Sequence, residues 1–368
     1  MSEIDQPTRA AVFNEARNEH LLPLLLFQLE RRQSHAHEEL AALIRPDVLA
    51  ARPWSLLQAR ATVDVIKQFE RANIEAKVIK GQLLAKAIYG DPASKSSSDI
   101  DVIVRSQQVA KAASQLRASG YECALNLAWF SDKSFLSLQK EASFACLGGA
   151  FCVDLHWGLV NRWNARPVTI DEIFEPAPPL FLFGAQVPWY RLDVLWRIQL
   201  GHLISSGWDG LKTFVDFVHV TDRLSESELE QALLRCESLG ALDQAIAAIR
   251  VNEALFKRPI PVTAEVFAKR AASGRMDKWV HECVSRLGTA AQKPAASAVA
   301  KWWRDVRLSN SATQLFATAT PLWTPAMVDY EQADPPLSGM SLLKAMMIRR
   351  ALARAIGTRN RSPQDSGS

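Results

Sequence analysis

Six residues, Asp99-Ile-Asp-Val-Ile-Val104, constrain what this chain can become more than any other stretch. They are rich in β-branched side chains, which suit a pleated strand. On a strand, successive side chains point to opposite faces. Asp99 and Asp101 therefore share one face, while Ile100, Val102 and Val104 turn the other way into a core. Two carboxylates side by side repel each other and are costly unless a cation lies between them. Magnesium suits the arrangement, because it takes oxygen ligands, keeps several waters and binds one or two carboxylates together with substrate phosphates. By itself, an acid-x-acid strand is more often a pair of solvated strand-edge acids.

A second strand-like segment, Phe151-Cys-Val-Asp-Leu-His156, changes that balance. Its Asp154 sits between apolar neighbours, and a carboxylate in such surroundings calls for a partner or a metal. The pattern does not fix which of Cys152 and Val153 faces inward. Asp99, Asp101 and Asp154 on neighbouring strands form the set that two-cation phosphoryl or nucleotidyl transfer requires. One cation belongs at the attacking oxygen and one at the leaving pyrophosphate. Upstream, Lys80-Gly81-Gln82 lies where a short apolar strand gives way to a helix over 82–89. Backbone N–H groups at such a helix start can cradle phosphate, and Gly81 permits a close approach or a positive φ. Lys80 and Lys95 bring positive charge, although each taken singly also reads as a solvated surface cation.

Around these motifs the chain divides into four stretches. Residues 1–75 read as helical, from the apolar run of Leu21–Leu26 through the periodic Trp54, Val63, Val65, Ile66 and Phe69. Residues 76–175 alternate strands and helices, with a helix over 107–118, an extended start at Gly120-Tyr121 and a hairpin from 141–146 to 151–156 around Gly148-Gly149. After Pro176-Ala-Pro-Pro179, residues 176–290 carry nearly continuous helical periodicity. Residues 291–368 hold Trp302, Trp303 and Trp323, a basic amphipathic stretch marked by Leu342, Met346, Arg349, Arg350 and Arg354, and a polar tail from Ser362. The expected fold class is α+β: a small mixed sheet flanked by N-terminal helices and a C-terminal helical domain.

Composition narrows the function classes. Of 368 residues, 48% are hydrophobic and 22% charged, enough to bury a core. A net charge of +4 lacks the concentrated basic stripe of a dedicated nucleic-acid binder and argues against such a partner. The N-terminus lacks the basic and apolar regions of a secretory signal, and the run broken by Pro23 is too short to span a bilayer. The expectation is a cytoplasmic protein without stable membrane insertion. Its five cysteines (Cys123, Cys146, Cys152, Cys236 and Cys283), odd in number and without a CxxC pair, are expected as free thiols.

Together, VIKGQLLAKAIYGDPASKSSSDIDVIV over residues 78–104 and FCVDLHW over 151–157 resemble the uncharacterised bacterial nucleotidyltransferases of the polymerase-beta-like superfamily. The shared order is Lys80-Gly81, Tyr89, Asp99-Ile-Asp101 and Val153-Asp-Leu-His-Trp157. The family's downstream histidine, tryptophan and aspartate are matched by His202, Trp208 and Asp216. The chain departs from the family at Lys95, where an arginine is usual, and at Gln82, where the wider superfamily has serine. Lysine keeps the charge of arginine but loses its bidentate fork.

The resemblance implies a nucleotidyltransferase that uses two Mg2+ ions, with Mn2+ as the alternative, and a nucleoside triphosphate, ATP first among them. Asp99, Asp101 and Asp154 are then catalytic and metal-binding. Lys80, Gly81, Gln82 and Lys95 contact the nucleotide, and His156 and His202 line an acceptor pocket. His156, two residues beyond Asp154, is expected to orient an acid or the acceptor, or to be a structural histidine. His202 and Asp216, fourteen residues apart, are expected on one helical face, as scaffold or pocket residues. The rival reading is a catalytically degenerate nucleotide-binding or interaction protein. A third reading, a peripheral membrane protein, rests on the basic amphipathic stretch alone. The acceptor is left open among small-molecule hydroxyls, sugars, phosphosugars, peptides and proteins.

Overall fold

The computed structural model describes residues 5–31, 35–146, 151–161, 164–257, 274–287, 308 and 327–331. The expected α+β architecture is present: a five-stranded mixed sheet with helices before and after it. The turn at Gly148-Gly149, the three C-terminal tryptophans, the basic amphipathic stretch and the polar tail lie outside the described residues.

Three helices come first, α1 (Gln6–Asn18), α2 (Leu22–Glu30) and α3 (His35–Arg71). The Asp5 carboxylate caps α1 by accepting from Thr8 N–H at 2.9 Å. The periodicity from Trp54 to Phe69 marks only the second half of α3, which runs for 37 residues through Pro46 and Pro53. A proline inside a helix removes a backbone hydrogen bond and crowds the preceding turn. Here apolar burial on both sides holds the axis. Leu40, Ala41, Ile44 and Val48 pack on α1 and α2, whereas Ala59, Val63, Ile66 and Phe69 enter the main core. Pro53 falls between the two clusters.

The sheet is built from β1 (Ala76–Val78), β2 (Asp99–Val104), β3 (Tyr121–Glu122), β4 (Glu141–Cys146) and β5 (Cys152–His156) in the order β1-β2-β5-β4-β3. Helix α4 (Gln82–Tyr89) follows β1, and α5 (Val109–Ala118) follows β2. Strands β2 and β5 run parallel, and every other pairing is antiparallel. The alternation is clear in β4 and β5, where Ala142, Phe144, Val153 and Leu155 are buried on one face. The orientation of β5 is thereby settled: Val153 is inside and Cys152 is exposed. Ile100, Val102 and Val104 are buried on the same face, against Ala112, Ala113 and Leu116 of α5.

Beyond Pro176-Ala-Pro-Pro179 the chain forms a second hairpin, β6 (Leu180–Leu182) and β7 (Ala185–Val187), which packs on α3 and α4. Helical periodicity gives no sign of it, because its two strands are only three residues each. Two short helices, α6 (Lys133–Leu138) and α7 (Ile170–Ile173), precede β4 and this hairpin respectively, and after the hairpin the chain continues as α8 (Leu192–Ser206), α9 (Leu211–Thr221), α10 (Glu226–Ser238), α11 (Leu242–Phe256) and α12 (Gly274–Leu287). Capping boxes at Thr169–Glu172 and Ser225–Glu228 start α7 and α10. The buried residues of α8 to α12 join those of the sheet in one continuous apolar cluster. All five cysteines are free, as expected. Among the described residues, no helix is long and apolar enough to cross a membrane.

Because Phe69 is fully buried where α3 meets the sheet, Phe69→Ala is expected to lower the unfolding free energy by about 3–5 kcal/mol. Leu57→Ala, on the exposed side of the same helix, is expected to stay within about 0.5 kcal/mol. Urea denaturation of the two variants checks the contrast.

Candidate functional site

The sheet's other face gathers the polar residues. Register places Asp101 opposite Asp154 across the parallel β2–β5 pair, Asp99 opposite Cys152, Ser143 opposite Asp154 and Glu141 opposite His156. One strand period therefore puts Asp99, Asp101, Asp154, His156, Ser143 and Glu141 on a single face.

Asp101 is 1% exposed and lies at the centre. Its Oδ1 is 3.0 Å from Lys80 Nζ and 3.1 Å from His156 Nε2. Its Oδ2 is buried with no hydrogen-bond partner among the described residues. Burial pushes this carboxyl up, but the hydrogen bond from His156 and the charge of Lys80 outweigh it and hold the group at about 2. Asp154 moves the other way. Burial and the neighbouring Asp101 raise it, even though Ser143 Oγ donates to its Oδ1 at 2.6 Å. Candidate ligand atoms of Asp101, Asp154 and His156 lie within 4.8 Å of one another. Asp99, half-buried one strand period before Asp101, stands outside that trio.

The residues around Gly81 form the second part of the site. Gly81 begins α4 with φ 78°, a backbone conformation that favours glycine. A side chain there would meet nothing closer than Ser97 Oγ at 3.8 Å, so conformation rather than space demands the glycine. Gln82, the next residue, is held from the side of α3. Its side chain is buried and donates to Gln58 Oε1 on α3 at 2.6 Å.

Neither lysine is the solvated surface cation it could have been. Lys80 pairs with Asp101, while Lys95 is buried and pairs with Asp216, whose Oδ1 also accepts from Tyr89 Oη at 3.2 Å. His202 and Asp216 stand on separate helices, α8 and α9, so a fourteen-residue helical period does not relate them. Packing of α8 on α9 brings both toward Lys95 instead. Burial, together with the charges of Lys80 and Lys95, lowers His202 to about 3.

Three residues of the site escaped the sequence reading. Lys212 donates to Ser96 O at 2.5 Å, and burial plus the charge of Lys95 lower its amine to about 8. The available signal was its position one helical turn before Asp216 on α9. Glu141 and Ser143 carried the alternation of β4, but only the hairpin register shows which residues of β5 they meet.

The donor set fits a hard divalent cation: carboxylate oxygens on adjacent strands, one of them buried and unpartnered. A family model described as an uncharacterised nucleotidyltransferase matches residues 7–257. No curated protein and no solved structure matches the chain.

Breaking a buried ion pair leaves a buried uncompensated charge. Asp216→Asn is therefore expected to destabilise the protein by about 3–5 kcal/mol, and the double variant Lys95→Met, Asp216→Leu to recover most of that loss in chemical denaturation. Acid titration probes His202. Between pH 6.5 and 3 it stays neutral in the fold while the unfolded chain takes up a proton, so stability falls as pH drops through that window. His202→Gln is expected to lose this component and to show a shallower acid slope in denaturation midpoints.

Proposed function

The chain belongs to the uncharacterised nucleotidyltransferase family, and on that premise we propose that it moves a nucleoside monophosphate from a nucleoside triphosphate to an acceptor hydroxyl or phosphate. The observation that carries this reading is the buried, unpartnered Oδ2 of Asp101 directly across the parallel strand pair from Asp154. Asp99, Asp101 and Asp154 would hold two Mg2+ ions, with Mn2+ as the alternative, in a polymerase-beta-like site. When bound, such ions supply Lewis-acid polarisation of the phosphates and ease deprotonation of the acceptor.

The remaining steps belong to the chain's own residues. The start of α4 at Gly81, with the backbone of Gln82, receives phosphate oxygens. Lys80, Lys95 and Lys212 add positive charge around it, Lys95 as a point charge held by Asp216. The acceptor oxygen forms a bond to the α-phosphorus as the bond from that phosphorus to the bridging oxygen breaks, and the electron pair leaves with pyrophosphate. Asp154, across the parallel strand pair from Asp101, takes the acceptor proton. Neutral His202 lines the acceptor side as a hydrogen-bonding group. ATP is the first candidate nucleotide, and residues 76–175 are the catalytic core.

A catalytically degenerate binding protein has one observation in its favour: Lys80 already neutralises Asp101 at 3.0 Å without any cation. Incubation of the purified protein with each nucleoside triphosphate and Mg2+, with detection of pyrophosphate, separates the two readings. Asp99→Asn, Asp101→Asn and Asp154→Asn are each expected to cut turnover by about a thousandfold, about 4 kcal/mol. Asp154→Asn is expected to leave triphosphate affinity, measured calorimetrically, near that of the wild type. Nucleotide binding without pyrophosphate release in the wild type would establish the degenerate reading instead.

A further inference from the structure

His156 belongs by distance to the trio of groups able to hold a metal, yet both its ring nitrogens already face carboxylates. Nε2 lies 3.1 Å from Asp101 Oδ1. Nδ1 lies 3.0 Å from Glu141 Oε2, close enough for an ion pair though out of line for a straight hydrogen bond. A carboxylate only accepts, so Nε2, at hydrogen-bond distance from Asp101 Oδ1, turns its hydrogen to that acid and offers no lone pair to a cation beside it. We infer that His156 is a clamp and not a ligand, and that Glu141 is the positioning residue that holds it, so that Asp101 presents Oδ2 alone to the cation site.

The geometry of the strands supports the assignment. Glu141 and His156 are directly opposed on antiparallel β4 and β5, where side chains of a cross-strand pair meet. Glu141 is fixed from its other side by Lys140, whose carbonyl accepts from Trp157 N–H at 2.9 Å and Gly158 N–H at 3.1 Å. Trp157 Nε1 donates to Leu136 O at 2.9 Å and Gln139 O at 2.8 Å, which pins the end of β5 to the start of β4. The chain Lys140–Glu141–His156–Asp101 thus runs from the hairpin base to the buried carboxylate. Asp101 Oδ1 takes two donors, Lys80 and His156, and the other oxygen takes none among the described residues. Groups that orient a metal ligand in this way, through a histidine backed by a carboxylate, set its direction and basicity without touching the metal.

The inference rests on reading the acids as a cation site, and its test reads cation binding rather than turnover. The full-length protein is titrated with Mn2+, free ion being followed by electron paramagnetic resonance, and the bound ion is examined by electron spin echo modulation for a coordinated imidazole nitrogen. Wild type is expected to bind Mn2+ with no such nitrogen coupling. Glu141→Gln, which keeps shape and loses charge, is expected to weaken binding about 10–100-fold with its circular dichroism melt retained. His156→Gln, which can still donate to Asp101, is expected to retain more affinity than His156→Ala. A directly bound nitrogen, or Glu141→Gln binding Mn2+ as the wild type does, overturns the inference while leaving the cation site standing. A wild-type chain that binds no Mn2+ overturns the cation site and the inference with it.

Discussion

The parallel pairing of β2 with β5 sets Asp101 against Asp154, and most of the surrounding structure answers the electrostatic problem this creates. Carboxylates on adjacent buried strands repel in a medium that screens them poorly. Lys80, His156 and Lys140 supply the opposing charge, and Ser143 supplies a neutral donor. A group as buried as Asp101 stays ionised only because two donors converge on one of its oxygens. The second oxygen has no partner among the described residues, and an unsatisfied buried acceptor is costly enough that structures rarely keep one without use for it.

The helices after the sheet solve a second charge problem. Lys80, Lys95 and Lys212 converge near the start of α4, and close cations are as unfavourable as close acids. Asp216 offsets Lys95, Asp101 offsets Lys80, and Lys212 is left with a backbone carbonyl and a lowered pKa. His202 stays neutral in the same surroundings. The site sets these lysines against Asp99, Asp101 and Asp154, all of which act on Lys80, so charges of both signs meet at the start of α4. It is assembled from both halves of the chain, because α8 and α9 share one core with the sheet. Helix α3 serves as a beam across the same molecule. Two apolar clusters bury it on either side of Pro53, and Gln58 on its flank anchors Gln82 at the start of α4.

The sequence by itself determined the strand character of residues 99–104, the common face of Asp99 and Asp101, the helix over 82–89 with its glycine start, and the hairpin that carries Asp154. Each is local: β-branching, a period of two, and a turn signal act over a few residues. The extent of α3 was hidden, since two prolines speak against a helix and only tertiary burial overrides them. The second hairpin was hidden by its three-residue strands. Only the tertiary structure decided the partners. That Lys95 is buried against Asp216, that Gln82 turns to Gln58, that Lys212 belongs to the site, and that Glu141 backs His156 all depend on strand register and helix packing between residues up to 121 positions apart. Side-chain type and spacing specify which charges a chain carries and which face they share. Which charge meets which is settled only when distant segments pack and each buried ion must find its counterpart.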